Sequence, residues 1–319
     1  MSQTRVKPMV EGGVLTAIAI IFALISAYLP LLGAFVNLIW PVPIILLGAR
    51  HGSKWSIMAT VAAGLLIAML MHPLHAVGVV VGFGLIGIVL GHAFRAGYRP
   101  VRAMMAGSAA SLISKVAVLG IGALIMGVNP MNIQAEALAQ AVSQSIDIYR
   151  SLGMKEEELE KLGATMQDMI GVIKIILPAG FAAAAVVDTY LNFIIAKAVM
   201  KKLGHTIEPF PPFKHWNMPW VVLAAFLSAI LMVYWGRTRE ISLLFEIGMN
   251  VQVLSSMFLL LQGLALIFFF AEKYRLSKLA RILILVLILS NGFLSQLLIF
   301  VGAVDIAIDY RRLRKIGVD

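Results

Sequence analysis

The sequence predicts an all-α protein, a polytopic transmembrane helical bundle of about 8–10 membrane segments. Three observations predict it. Hydrophobic residues make up 61% of the chain and charged residues 13%, about half the ~25% charged share of a soluble globular chain. The apolar positions gather into runs of roughly 20 residues, the length a helix needs to cross hydrocarbon. The short alternating segments that mark a membrane β-barrel are not what the chain shows.

Arg5 and Lys7 precede the first apolar run, about residues 9–29, which reads as a retained first helix because no convincing small-residue cleavage site follows. Its opening face carries Glu11, Gly12, Gly13, Thr16, Ala17 and Ala19, and small residues let another helix approach closely. Pro30 ends it. Residues 35–49 form a shorter run holding Pro41 and Pro43, too short for a straight span and so kinked, tilted or partly re-entrant. The third run covers about residues 55–71. The fourth, about 75–94, carries Gly78, Gly82, Gly84, Gly87 and Gly91, which read as helix-packing positions and not as a phosphate loop, since no strand precedes them.

The fifth run, about residues 103–127, leads into the one extended hydrophilic excursion. Residues 129–168 hold seven carboxylates against Arg150, Lys155 and Lys161, a net of −4 in a chain of +10. Helical composition spans 131–149, Gly153 breaks it, and a second charged helix starts near Met154 and runs toward the sixth apolar segment, about 169–200, where Pro178 predicts a kink. Residues 209–220 interleave prolines and aromatic rings with Lys214 and His215, a composition suited to the headgroup level. That loop divides two units: 1–204, a six-helix membrane unit with the acidic excursion, and 205–319, with further transmembrane helices and a basic tail.

The seventh and eighth runs cover about 220–235 and 241–271, and a last stretch reaches Asp309 before Arg311, Arg312, Arg314 and Lys315. This last stretch supports two readings. As one helix, Asn291, Ser295, Leu298, Gly302, Asp305 and Asp309 share a face; a break at Ser290, Asn291 and Gly292 makes it a hairpin and returns the tail to the cytoplasm, the favoured reading. With the N-terminus in the cytoplasm and every segment crossing, 15 basic residues fall on cytoplasmic sides and 5 in the outer loops as far as Ile282. The positive-inside rule then puts the acidic excursion outside.

The same distribution explains the high pI without nucleic acid, because basic residues at span ends meet lipid headgroups. With no cysteine, disulfides, cysteine-held zinc and iron–sulfur clusters are excluded. No Walker motif, nucleophile elbow or HExxH occurs. His72 and His75 lack the third and fourth ligands that zinc wants and read as an interfacial turn. The expectation is a protein that is not an enzyme and needs no metal or cofactor.

Ionisable residues at bilayer depth cost about 2.5–3.5 kcal/mol each to insert, so each asks for a partner or a function. Lys115 is central in the fifth segment, with Ser108, Ser111 and Gly122 near its face. Asp188 is near the middle of the sixth, with Asn192 one turn on and Lys174 about 21 Å back along the same face. Consecutive antiparallel helices bring Lys115 and Asp188 to similar depth. Lys115, Asp188, Asn192, Lys174 and Ser111 are therefore either the lining of a ligand pocket or proton path, or an intramembrane ion pair that holds the bundle together. Elsewhere, Glu11 is expected to pair with Arg5 or Lys7, Glu246 (sharing a face with Asn250) with Arg237 or Arg239, and Asp305 and Asp309 with Arg311 or Arg312 at the membrane edge.

Three stretches carry a resemblance. Residues 10–17, VEGGVLTA, run on to 41–52, PVPIILLGARHG; the interfacial loop reads PFKHWNMP at 212–219; the end reads GAVDIAIDYR at 302–311. Together the chain resembles the YybS-like family of bacterial inner-membrane proteins. The first six segments also look like the S component of energy-coupling factor vitamin transporters, with a small-residue first helix, a short Pro-x-Pro second helix and a Gly-rich fourth. That second likeness implies a ligand pocket in the outer half of segments four to six. It also implies contact of Gly12, Gly13, Thr16 and Ala17 with a transmembrane partner. The longer acidic excursion and the added C-terminal unit depart from it. The function expected is binding of a small solute or lipid-like ligand as a transporter subunit in the bilayer; the alternative is a non-transporting scaffold for cell-envelope processes.

Overall fold

The computed structural model describes residues 3–127 and 130–311. Asn129, Arg312, Arg314, Lys315 and the side chain of Arg5 lie outside the described residues. The chain divides into two compact units, one of residues Met1–Met166 and Phe181–Pro209, the other of Gln167–Gly180 and Phe210–Asp319.

The first unit holds α1 (Gln3–Tyr28), α2 (Pro30–Ile39), α3 (Pro41–His51), α4 (Ser53–Leu70), α5 (Pro73–Arg95), α6 (Pro100–Met126), α7 (Pro130–Ser151) and most of α8 (Glu156–Lys202). Proline at the first turn opens α2, α3, α5 and α6, where its missing N–H is no loss and its fixed φ suits the helix. The short run at 35–49 breaks at Trp40 and Pro41. Every residue from Pro41 to Gly48 is buried, so α3 is apolar all round because it sits inside the unit. Trp40 is fully buried, and its Nε1 donates to the Ala19 carbonyl at 2.9 Å.

Glycine sets the spacing here. A Cβ on Gly91 would stand 3.0 Å from the Gly48 Cα and the Ile45 carbonyl, and one on Gly87 2.8 Å from the Ile44 side chain. The α3–α5 crossing thus depends on missing side chains, the small-residue packing of membrane helices. On α1 the buried positions are Gly12, Thr16, Ala19 and Ala23, whereas Gly13 and Ala17 are exposed. Helical periodicity divides the small-residue face that the sequence treats as one.

The acidic excursion folds as α7 and the start of α8. Arg150 binds Asp147 at 3.0 Å and Glu156 at 2.9 Å across the turn, and the bond to Glu156 raises its pKa above the usual arginine value. Helix α8 then runs for 47 residues with Pro178 inside it, about 70 Å, more than twice the ~30 Å hydrocarbon core.

The second unit holds a 3₁₀ turn at Phe213–His215, α9 (Trp220–Thr238), α10 (Ser242–Lys273), α11 (Lys278–Ser290) and α12 (Gly292–Ile308), together with the 167–180 section of α8. Gly236 and Gly248 bring α9 against α10, and Gly263 and Gly302 bring α10 against α12. The last stretch is broken: α11 and α12 meet at Asn291 with a bend of 104°, and the Asn291 side chain caps α12 by accepting from Leu294 N–H. The single-helix reading fails for that reason, although Leu298, Gly302 and Asp305 still share the buried face of α12.

Among the described residues, seven helices are long and apolar enough to cross a membrane, eight if the bent pair counts as one span, and the apolar stretch Phe35–His51 is shorter than that. This is the polytopic helical bundle that the composition predicts.

Candidate functional site

Among the described residues, polar groups gather at three places in the apolar packing, two of them buried and the second largely exposed. The first lies between α6 and α8. Gly107 lets α8 approach so closely that a Cβ there would meet the Thr189 methyl at 2.5 Å. Two turns further along α6, Lys115 pairs with Asp188, the residue before Thr189; Asp188 is only 4% exposed. Ser111 joins them, accepting from Lys115 Nζ at 3.2 Å and donating to Asp188 Oδ2 at 3.4 Å. The Phe83 ring lies 5.7 Å from the ammonium. Two long polar side chains thereby neutralise one another in a site where either alone would be costly.

Asn192 extends this centre. Its Nδ2 donates to the carbonyls of Leu38 and Asp188, each at 2.8 Å. Its Oδ1 has no hydrogen-bond partner, and neither have Asn37 Oδ1 and Ser114 Oγ, all three buried. Such orphaned acceptors are uncommon in folded interiors. Lys115, Asp188, Asn192 and Ser111 are thus brought together; Lys174, expected on the same face, belongs instead to the second unit.

The second centre is at Pro178. Proline supplies no N–H to the Lys174 carbonyl. One residue on, the Asn250 side chain stands between two groups that an uninterrupted helix would join: its Nδ2 donates to the Ile175 carbonyl at 2.7 Å, and its Oδ1 accepts from Ala179 N–H at 2.8 Å. The amide substitutes for the helical bond and holds the opened turn. Beside it is a cavity of about 500 Å³, lined by Lys174, Ile175, Pro178, Leu243, Glu246, Ile247, Asn250, Val251 and Leu254. None of Lys115, Asp188, Asn192 or Ser111 lines it. Glu246 forms no ion pair with Arg237 or Arg239, contrary to the sequence expectation; the helix face that carries it turns to the cavity with Leu243, Ile247 and Asn250, at helical spacing.

The third centre joins the end of the chain to the Pro/aromatic loop. Arg311 pairs with Asp305 at 2.8 Å, with both side chains almost wholly buried. The guanidinium also donates to the carbonyls of Lys214 at 2.5 Å and Trp216 at 2.8 Å. Gln262 Nε2 donates to Asp305 Oδ2 at 2.7 Å, and Gln262 Oε1 accepts from Met218 N–H at 2.8 Å. The Asp305 partner is therefore Arg311, as the sequence suggests, but in a buried network and not at an exposed edge. Gln262 escaped the sequence reading; its signal was an amide inside the apolar second half of α10.

One further expectation changes. Glu11 binds Arg50 at 3.1 Å and His51 at 2.6 Å, residues 40 positions away on α3, where sequence neighbours were expected. Among the described residues, no group of three or more His, Cys, Asp or Glu side chains gathers as a metal site; His72 instead caps α5, accepting from Leu74 N–H.

The chain matches, over residues 17–306, the model of a family described as predicted membrane protein, DUF2232. It is 26% identical over 311 residues to the uncharacterized protein YybS of Bacillus subtilis (strain 168), across 96% of this chain and 95% of that one. No solved structure matches. The chain belongs to the DUF2232 family of membrane proteins, and the YybS-like resemblance read from its three stretches holds.

Proposed function

We propose that this member of the DUF2232 family binds a small solute or lipid-like ligand as a transport-type subunit of the bacterial inner membrane. One observation carries the reading: the cavity of about 500 Å³ beside the opened turn of α8, with Lys174, Glu246 and the Asn250 bridge at its wall. Its size is within the roughly 300–1,000 Å³ of small-molecule sites. Proline inside a membrane helix is tolerated where a neighbouring side chain satisfies the freed backbone groups, as Asn250 does here, and discontinuous helices form the binding sites of many transporters. The likeness of the first six segments to S components gives weaker, fold-level support.

The positive-inside count supports a cytoplasmic N-terminus and an acidic hairpin on the outer side. The outward Gly13 and Ala17 suit contact with a membrane partner, while Gly12 and Thr16 are engaged within their own unit. Binding rather than catalysis is favoured because the sequence carries no nucleophile, base or metal-ligand motif.

The test is a lipid- and metabolite-resolved mass spectrum of the purified protein beside Val251→Trp, which fills the cavity. A compound reproducibly retained by the wild type and lost from the variant is the expected result. A wild type that carries nothing, or a compound kept equally by Val251→Trp, refutes the reading; loss on Asp188→Asn alone moves the site to the first unit.

A further inference from the structure

The next step rests on that cavity being a ligand site and concerns the ligand's chemistry. Lys174 and Glu246 line one space, yet neither takes part in an ion pair among the described residues. Opposite charges that share a wall without meeting leave room for a ligand carrying both signs. The rest of the wall that α10 contributes is chiefly aliphatic, with Leu243, Ile247, Val251 and Leu254 on one stripe of the helix.

Depth narrows the class. From Lys174 to Lys197, α8 rises about 34 Å, close to the ~30 Å hydrocarbon core, so these lysines bracket its apolar section and Lys174 stands at one headgroup level. Glu246 lies one turn inside the start of α10, at Ser242. Both charges lie within a turn of the Asn250 bridge, and the aliphatic stripe continues one turn past it to Leu254.

We infer that the cavity takes the headgroup of a zwitterionic membrane lipid bearing a primary ammonium, with its phosphate at Lys174 and its ammonium at Glu246. The lipid's first chain carbons then follow the aliphatic stripe. A primary ammonium fits because the carboxylate accepts its N–H groups in charge-assisted hydrogen bonds. A quaternary ammonium has no N–H to give, and a purely anionic headgroup serves Lys174 while opposing Glu246.

The experiment is lipid exchange on the full-length purified protein. Phosphatidylethanolamine, phosphatidylcholine and phosphatidylglycerol with matched chains compete in detergent, and retained lipid is read by native mass spectrometry. The wild type retains phosphatidylethanolamine about tenfold over either competitor, the worth of one hydrogen bond to a charged group. Glu246→Gln removes the preference for ethanolamine over choline while binding persists, and Lys174→Gln weakens retention of all three. Both side chains are exposed, so neither change threatens folding. Equal retention of the three lipids, or a preference untouched by Glu246→Gln, overturns the inference. A water-soluble solute found in the cavity overturns it and leaves the proposed function standing; no ligand of any kind removes both.

Discussion

Asp188→Asn keeps the shape of the side chain and removes its charge, leaving the Lys115 ammonium beside a residue that is only 4% exposed. Breaking a buried pair by removing one partner costs about 3–5 kcal/mol, because the remaining charge is uncompensated. Lys115 is 17% exposed at its side chain and keeps the Ser111 hydroxyl at 3.2 Å, so the cost belongs at the lower end of that range. Lys115→Met costs the same or more, since it strands the carboxylate. The double variant Lys115→Met/Asp188→Leu removes both charges, and such replacements are often neutral or stabilising. The double variant is therefore expected to be more stable than either single one. The assay is reversible unfolding in mixed micelles by detergent titration, with helical circular dichroism as the readout. Single costs under about 1 kcal/mol that add in the double variant to within ~0.5 kcal/mol would refute the pairing argument, since additivity marks independent sites. If the double variant recovers stability but loses a retained ligand, the pair also serves a site.

Three further outcomes are expected. Arg311→Ala strands the buried Asp305 and frees the carbonyls of Lys214 and Trp216; it lowers stability by about 3–5 kcal/mol, and limited proteolysis finds new cleavage in residues 209–220. Gly91→Ala forces a methyl to 3.0 Å from the Gly48 Cα and the Ile45 carbonyl and costs about 1–3 kcal/mol by overpacking, measured by thermal unfolding, while Gly13→Ala, with nothing within 4 Å of its Cβ, leaves the unfolding temperature unchanged. Asn250→Leu lets Ala179 N–H bond directly to the Ile175 carbonyl, so stability changes by only about 1 kcal/mol; retention of any cavity ligand falls sharply in the mass spectrum.

The sequence by itself determined the solvent and the elements. A run of about 20 apolar residues dictates a membrane-spanning helix, because unpaired backbone groups cannot face hydrocarbon, and Pro30, Pro41, Gly127 and Gly153 mark helix ends by local backbone chemistry. Depth along consecutive helices was enough to bring Lys115 to Asp188. Tertiary structure decided the rest. It split the small residues of α1 between inside and outside, and it buried α3 on every side. It gave Glu11 partners on α3, bent the last segment at Asn291, and set Asn250 into the turn opened by Pro178. Each of these depends on which face of one helix meets which face of another. Sequence periodicity names the faces; the meeting is chosen by side-chain volume and by hydrogen bonds between residues far apart in the chain. The Arg311 network shows the reason most plainly: its donors and acceptors, spread over nearly 100 positions, have no local pattern and acquire partners only when the unit has packed.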